Sequence, residues 1–358
     1  MSKLGLLVLV WALAAALGGP VSAWTDAREA VRVVKPRTLD PGALTRGPDA
    51  RLDFLQGGAL HLADGSHLRT KLQAKQQQLL GRSRRRWVVA WRRGLVNGVS
   101  LVAKNKAPRG VPGRRFKSYA DMGIGYRLTR DGRTLIIDSL DRGGALSALA
   151  DVSTGDQVGN AYDDGIVSIL DGERDRFVVL SNDYSRYVAQ EWAPSSGDLA
   201  KLGKGASYAN VDRDLLFIKT HGRNYGPVSL TRARAGQRTP PWTAPFQPLD
   251  ISPDGLTALG LRVPKSVFHS PAILDIRRLS DGALLDSVKY DKAITEETWQ
   301  AGVGHDQTAR WETNEAYVFE MQNKRGSILI RCTVAGDCER ASARGREISV
   351  PGETYMWW

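Results

Sequence analysis

Cysteine is almost missing from this chain of 358 residues, which has two, Cys332 and Cys338. That excludes a disulfide-dense scaffold and a four-cysteine zinc site. Histidine is scarce too: His61, His67, His221, His269 and His305. None has His-x-x-x-His or Glu-x-x-His spacing, so they read as turn or surface residues, with no metal and no cofactor expected. No Gly-x-Ser-x-Gly elbow is present to expose a nucleophilic serine. The Asp-Gly pairs lack the ligand spacing of a calcium loop and read as turns. No helical period of apolar residues persists between strand-like runs, which argues against a βαβ array. Beyond the first twenty or so residues, no apolar run is long enough to span a bilayer.

What is abundant is glycine, at 37 residues, and short apolar runs punctuated by turns. The clearest unit is Ile251-Ser252-Pro253-Asp254-Gly255-Leu256-Thr257-Ala258-Leu259-Gly260. Proline presets φ, aspartate bonds its own backbone and glycine accepts positive φ, so the unit reads as strand, tight turn, strand. A looser copy is Thr129-Arg130-Asp131-Gly132 before Leu135-Ile136-Ile137. Equivalent strands start near Val88, Leu135, Val178, Leu216, Ala258 and Tyr317. The steps are roughly 40–45 residues, with one near 60, the period of four-stranded propeller blades. Asp171-Gly172 and Asp212-Arg213-Asp214 are expected to make the turns of two of these units. Thr70 to Leu80 has room for one or two helical turns. The long step contains Val263 to Pro271 and Ile294 to His305, read as enlarged loops on one face.

The fold expected is therefore all-β, a β-propeller spanning 51–350, with seven blades or, alternatively, six. The first unit, 52–69, supplies no clear innermost strand. Ile348-Ser349-Val350 can supply it from the far end, so that N- and C-terminal strands pair and hide two sheet edges. Residues 24–50 read as an extended lead-in and 351–358 as an aromatic tail.

Residues 1–23 read as a signal peptide. Lys3 precedes an apolar run from Leu4 to Leu17, and Val21-Ser22-Ala23 places small residues before a cleavage point after Ala23. The expected destination is the cell envelope or the extracellular space, where disulfides persist. Cys332 and Cys338 flank the turn Ala335-Gly336-Asp337 at equal offsets. That places them opposite one another in a hairpin, about 4.5–5.5 Å apart at Cα and within disulfide reach.

The Ser252-Pro253-Asp254-Gly255 turn before Ala258-Leu259, recurring at blade period, resembles the repeat of bacterial TolB-like and tricorn-N-terminal-like propellers (a WD40-like architecture without the Gly-His and Trp-Asp signatures). The resemblance covers about residues 50–350. It implies a ring with a central channel and binding on its faces, and it implies no reaction.

The formal charge is +12, and Arg outnumbers Lys. Candidate anion-binding residues are Arg84, Arg85, Arg86, Arg92, Arg93, Arg114, Arg115 and Lys117, with Arg109 nearby; Trp87 and Trp91 read as core. The export signal argues against a nucleic-acid partner. The expected function is a non-catalytic scaffold, a monomer, binding a protein or an anionic envelope polymer, or touching a membrane surface. The alternative is a propeller enzyme of polysaccharide-lyase or glycosidase type, with Glu296, Glu297 and Glu312 as candidate acids at the channel mouth. Carboxylates, or a Tyr/His/Arg group, converging in one pocket would favour the enzyme.

Overall fold

The computed structural model describes residues 34–94, 96–117, 124–141, 144–161, 165–183, 186–219, 228–232, 241–262, 270–294, 309–323, 326–345, 348–352 and 354–356. The expected signal segment and its cleavage point after Ala23, most of both enlarged loops, Glu296, Glu297, His221, His269, His305 and the terminal Trp357-Trp358 lie outside these residues. The described part from Pro36 onward is one compact unit.

This unit is a β-propeller. Its strands form seven sheets, six of them built on four strands consecutive in sequence. In chain order, the second strands of those six are Arg86–Arg93, Thr134–Asp141, Arg176–Asp183, Leu215–Lys219, Thr257–Arg262 and Ala316–Asn323. These carry the runs that set the sequence period, and each has a neighbour on both faces. Val88 and Ala90 enter one apolar cluster, with Leu135 and Ile137 of the next sheet. Val89, between them, enters another, with Leu55 and Leu60 of the preceding sheet. Tyr317 and Phe319 pack toward Leu259 and Ile276, whereas Val318 packs toward Phe54 and Ile348. Successive side chains of a strand point to opposite faces, so a strand held between two sheets is apolar at every position. Each such Val, Leu or Phe contributes about 1.5–3 kcal/mol.

The remaining sheet is composite. Phe54–Gln56, Ala59–His61 and His67–Arg69 form a meander, and Ile348–Ser349 pairs antiparallel with its first strand, Leu55 opposite Ser349 and Gln56 opposite Ile348. The tail makes a second long-range pairing: Thr354–Met356 adds to the free edge of Ile124–Leu128.

The lead-in is extended and pairs at the edge of one sheet. Arg37–Thr38 adds a parallel strand to Leu284–Ile294, and Arg37 bonds Asp286 at 2.6 and 3.2 Å and the Gly336 carbonyl at 2.5 Å. Two local expectations are corrected. Thr70 to Leu80 has no helix. Gln77 donates to the Leu72 and Ala74 carbonyls at 3.3 and 2.9 Å and accepts from Thr70 at 2.7 Å, pegging a loop that leads into strand Gln76–Ser83. Asp171-Gly172 is not a turn. Both residues lie inside strand Ile166–Glu173, and the hairpin bends two residues later, with Arg174 at φ 55°. The Asp171 carboxylate instead accepts the Val211 amide at 2.8 Å, and a Cβ on Gly172 would meet the Phe177 ring at 2.0 Å. The expected turns at Asp131-Gly132, Asp254-Gly255 and Asp281-Gly282 are present, each glycine at positive φ.

Cys332 and Cys338 are directly opposed between Gly326–Thr333 and Cys338–Arg340, 4.2 Å apart at Cα, and form a disulfide.

Candidate anion-binding cleft

The arginines singled out in the sequence do not form one patch. Arg86–Arg93 is a single extended strand. Arg84 and Arg85 are exposed in the turn before it, with Arg84 at φ 54°, and Arg86 begins it. Arg92 and Arg93 end it, opposite Asn97 and Val96. At about 3.3 Å per residue the two groups stand roughly 20 Å apart, at opposite ends of the sheet. The outer strand Arg109–Lys117 sorts the others. Arg115 lies opposite Gly98 and Lys117 opposite Val96, at the Arg92 end, whereas Arg109 lies opposite Leu101, toward the Arg84 end. The side chains of Arg114, Arg115 and Lys117 lie outside the described residues.

At the Arg92 end the pegged loop and the strand ends enclose a cleft of about 530 Å³, lined by Gln73, Lys75, Gln76, Arg92, Arg93 and Gly94. Arg92 Nε donates to the Gly94 carbonyl at 3.0 Å, which fixes its stem, and Arg93 reaches Gln73 Oε1 at 3.4 Å. Desolvation lowers the Arg92 guanidinium from its ordinary value without neutralising it. The cleft thus offers three cations and two amides, with no carboxylate among its described lining residues. Sequence reasoning found Arg92 and Arg93 but missed Gln73, Lys75 and Gln76. Their only signal was a polar run, and a polar run does not show where it folds back. Trp87 is core, its indole Nε1 bonded to Asp53 at 2.9 Å, while Trp91 is half-buried and bonds Ser100 at 2.9 Å.

Polar side chains also meet near the first strands of several sheets. Arg130 Nη2 donates to the Tyr208 hydroxyl at 2.9 Å, and its Nε lies 3.7 Å from Asp171 Oδ2. Burial pushes the Tyr208 phenol up to about 12 and raises Asp171. Burial opposes the charge on Arg130, yet Tyr208, Asp171, Asp250 and Asp212 hold it above its ordinary value. Tyr208 is therefore protonated at neutral pH. Asp250 accepts the Trp311 amide at 3.0 Å, as Asp171 accepts that of Val211, so both carboxylates tie one sheet to the next. Glu312, proposed from sequence as an acid, is held by Arg331 at 2.5 and 2.8 Å and is a buried structural partner.

Among the described residues one group has the donors of a metal site: Asp49, His61 and His67, with ligand atoms all within 4.8 Å of one another. Burial, then the neighbouring His67, lowers His61 from its ordinary value, with Asp49 opposing.

No family model matches the chain, and no curated protein matches it. Solved structures do. A functionally unknown protein from Desulfotomaculum acetoxidans is 11% identical, with a TM-score of 0.50, over 84% of this chain and 98% of that one. TolB from Acinetobacter baumannii is 10% identical, with a TM-score of 0.47, over 87% of this chain and 65% of that one. The β-propeller domain of the trilobed protease from Pyrococcus furiosus is 13% identical, with a TM-score of 0.45, over 75% and 84%. In fold the chain is similar to the Desulfotomaculum acetoxidans protein.

Proposed function

We propose that the chain is an exported, non-catalytic propeller that binds an anionic envelope polymer in the cleft of Lys75, Arg92 and Arg93. Its blades are the six sheets of four consecutive strands, not the seven expected from sequence, and the Ile348–Ser349 pairing in the composite sheet is taken as the closure of the ring. The cleft carries the reading: three cations and two amide side chains around about 530 Å³, with no carboxylate among the described lining residues. Cations grouped in this way attract polyanions largely through counterion release, with steep salt dependence. The Cys332–Cys338 bond fits an oxidising compartment. The enzyme reading has less to stand on. Where a Tyr/Arg group does converge, Tyr208 stays protonated and Asp171 is committed to a backbone amide.

The test uses dextran sulfate and anionic vesicles as probes at low salt. Binding is expected, with release before about 0.5 M salt. Charge reversal of Arg92 and Arg93 should abolish it. The same reversal at Arg84 and Arg85, at the far end of the same strand, should leave most of it. Equal losses from the two pairs would reduce the cleft to general charge, and no binding at low salt would end the proposal.

A further inference from the structure

His61 and His67 face each other across the hairpin closed by Asp64-Gly65, directly opposed in register. Their rings meet edge to face at 4.5 Å between centroids. Phe54, on the next strand, stacks flat on His61 at 4.5 Å and an interplanar angle of 13°, which fixes the orientation of that imidazole. His61 Nδ1 is buried and has no hydrogen-bond partner. A buried nitrogen left in this state is costly unless something satisfies it. The third donor comes from a different part of the chain. Asp49 lies in the lead-in, and Arg46 engages its Oδ1, so the second carboxylate oxygen can face the imidazoles.

We propose that Asp49, His61 and His67 bind one divalent first-row transition ion of the zinc class, with water in the fourth position. Two imidazoles and a carboxylate suit such an ion, and a tetrahedral centre with bonds of about 2.0–2.2 Å holds its donors roughly 3.4 Å apart. The present separations, all within 4.8 Å, shorten on coordination, and His67, which is exposed, is the ligand with most room to turn. The stacked His61 serves as the fixed ligand.

The ion would also join two parts of the unit. Residues 45–50 are bonded to the last sheet: Gly47 N to the Arg340 carbonyl at 3.1 Å, Ala50 N to the Ala341 carbonyl at 2.8 Å, and Arg331 to the Pro48 and Asp49 carbonyls at 3.3 and 3.0 Å. The two histidines belong to the composite sheet. The metal therefore bridges these two neighbouring sheets. Binding to the folded state alone stabilises it in proportion to ligand saturation.

The experiment uses the purified chain, stripped with chelator, and Zn²⁺ alone as probe. It combines calorimetric titration with thermal melts, and Co²⁺ reports coordination through its d–d bands. The expected result is one saturable equivalent with a micromolar or tighter Kd, and a Tm higher by about 4 °C at a hundredfold excess over Kd. His67→Gln, at an exposed position, should keep the fold by circular dichroism, weaken binding at least tenfold and erase the Tm shift. Asp49→Asn should also weaken binding. Absence of a saturable equivalent would overturn the proposal, as would full binding in His67→Gln.

Discussion

Arg331 offers the sharpest test of what holds the last sheet to the lead-in. Its guanidinium bonds Glu312 at 2.5 and 2.8 Å, Glu339 at 2.5 Å and the carbonyls of Pro48 and Asp49. The Glu312 side chain is only 2% exposed. Arg331→Met keeps much of the stem's packing but leaves the buried Glu312 carboxylate with the Arg51 amide and no cation, which costs about 3–5 kcal/mol. The unit Pro36–Trp358 has an unfolding entropy of roughly 0.7 kcal/mol/K, at about 2.1 cal/mol/K per residue. The Tm should therefore fall by about 4–7 °C in differential scanning calorimetry. Adding Glu312→Leu removes the stranded charge and should recover at least half of the loss. A fall below about 2 °C would mean that solvent or Glu339 relieves the charge. A double variant no better than the single would show that the loss is packing and not electrostatics.

Gly172→Ala forces a methyl against the Phe177 ring in the core and should cost about 1–3 kcal/mol in urea melts; a neutral result would mean that the strand shifts freely. Non-reducing mass spectrometry should find no free thiol, and reduction of Cys332–Cys338 should cost only about 2 kcal/mol because the closed loop is short. A larger loss on reduction would point to strain elsewhere in the hairpin. At Asp254, burial pushes the carboxyl up, but bonds from the Ser252 hydroxyl and the Leu256 amide outweigh it, and the net shift is downward; Asp281 is lowered first by the Ala283 amide. Such groups bind fewer protons folded than unfolded, so their contribution is complete above the ordinary carboxylate pKa and is lost as pH falls through the lowered one. Stability should decline below about pH 4, and Asp254→Asn should flatten that decline; an unchanged slope would remove this turn from the acid response.

The fold was legible because its second strands are buried on both faces and carry unbroken apolar runs such as Trp87 to Ala90 and Phe177 to Val179, recurring at blade period. The aspartate-glycine turns added punctuation, with one failure. Asp171-Gly172 has the composition of a turn but lies in a strand, because Asp171 is held by the Val211 amide of the following sheet. That bond spans 40 residues and leaves no local trace. Glu312 looked catalytic because sequence does not show a partner 19 residues away. The arginine clusters looked like one surface because sequence distance is short where strand length is long: Arg86 and Arg92 are near neighbours in order, yet stand at opposite ends of one strand. His61 and His67 were set aside for lacking helical metal spacing; cross-strand opposition puts two ligands together at a spacing that no helical motif describes.

The pairing of Ile348–Ser349 with Leu55–Gln56 has a temporal meaning. A chain is made from its N-terminus, so the 54–69 meander emerges first and waits with one edge open for its fourth strand. At about 5–20 residues per second the wait is roughly 15–60 s. Throughout that time Phe54 lacks Val318, Leu329 and Ile348, neighbours that later help bury it to 1% exposure. The first sheet of the chain is thus among the last to be completed. Nascent protein should pass through a stage in which this open edge is exposed to pairing with other chains.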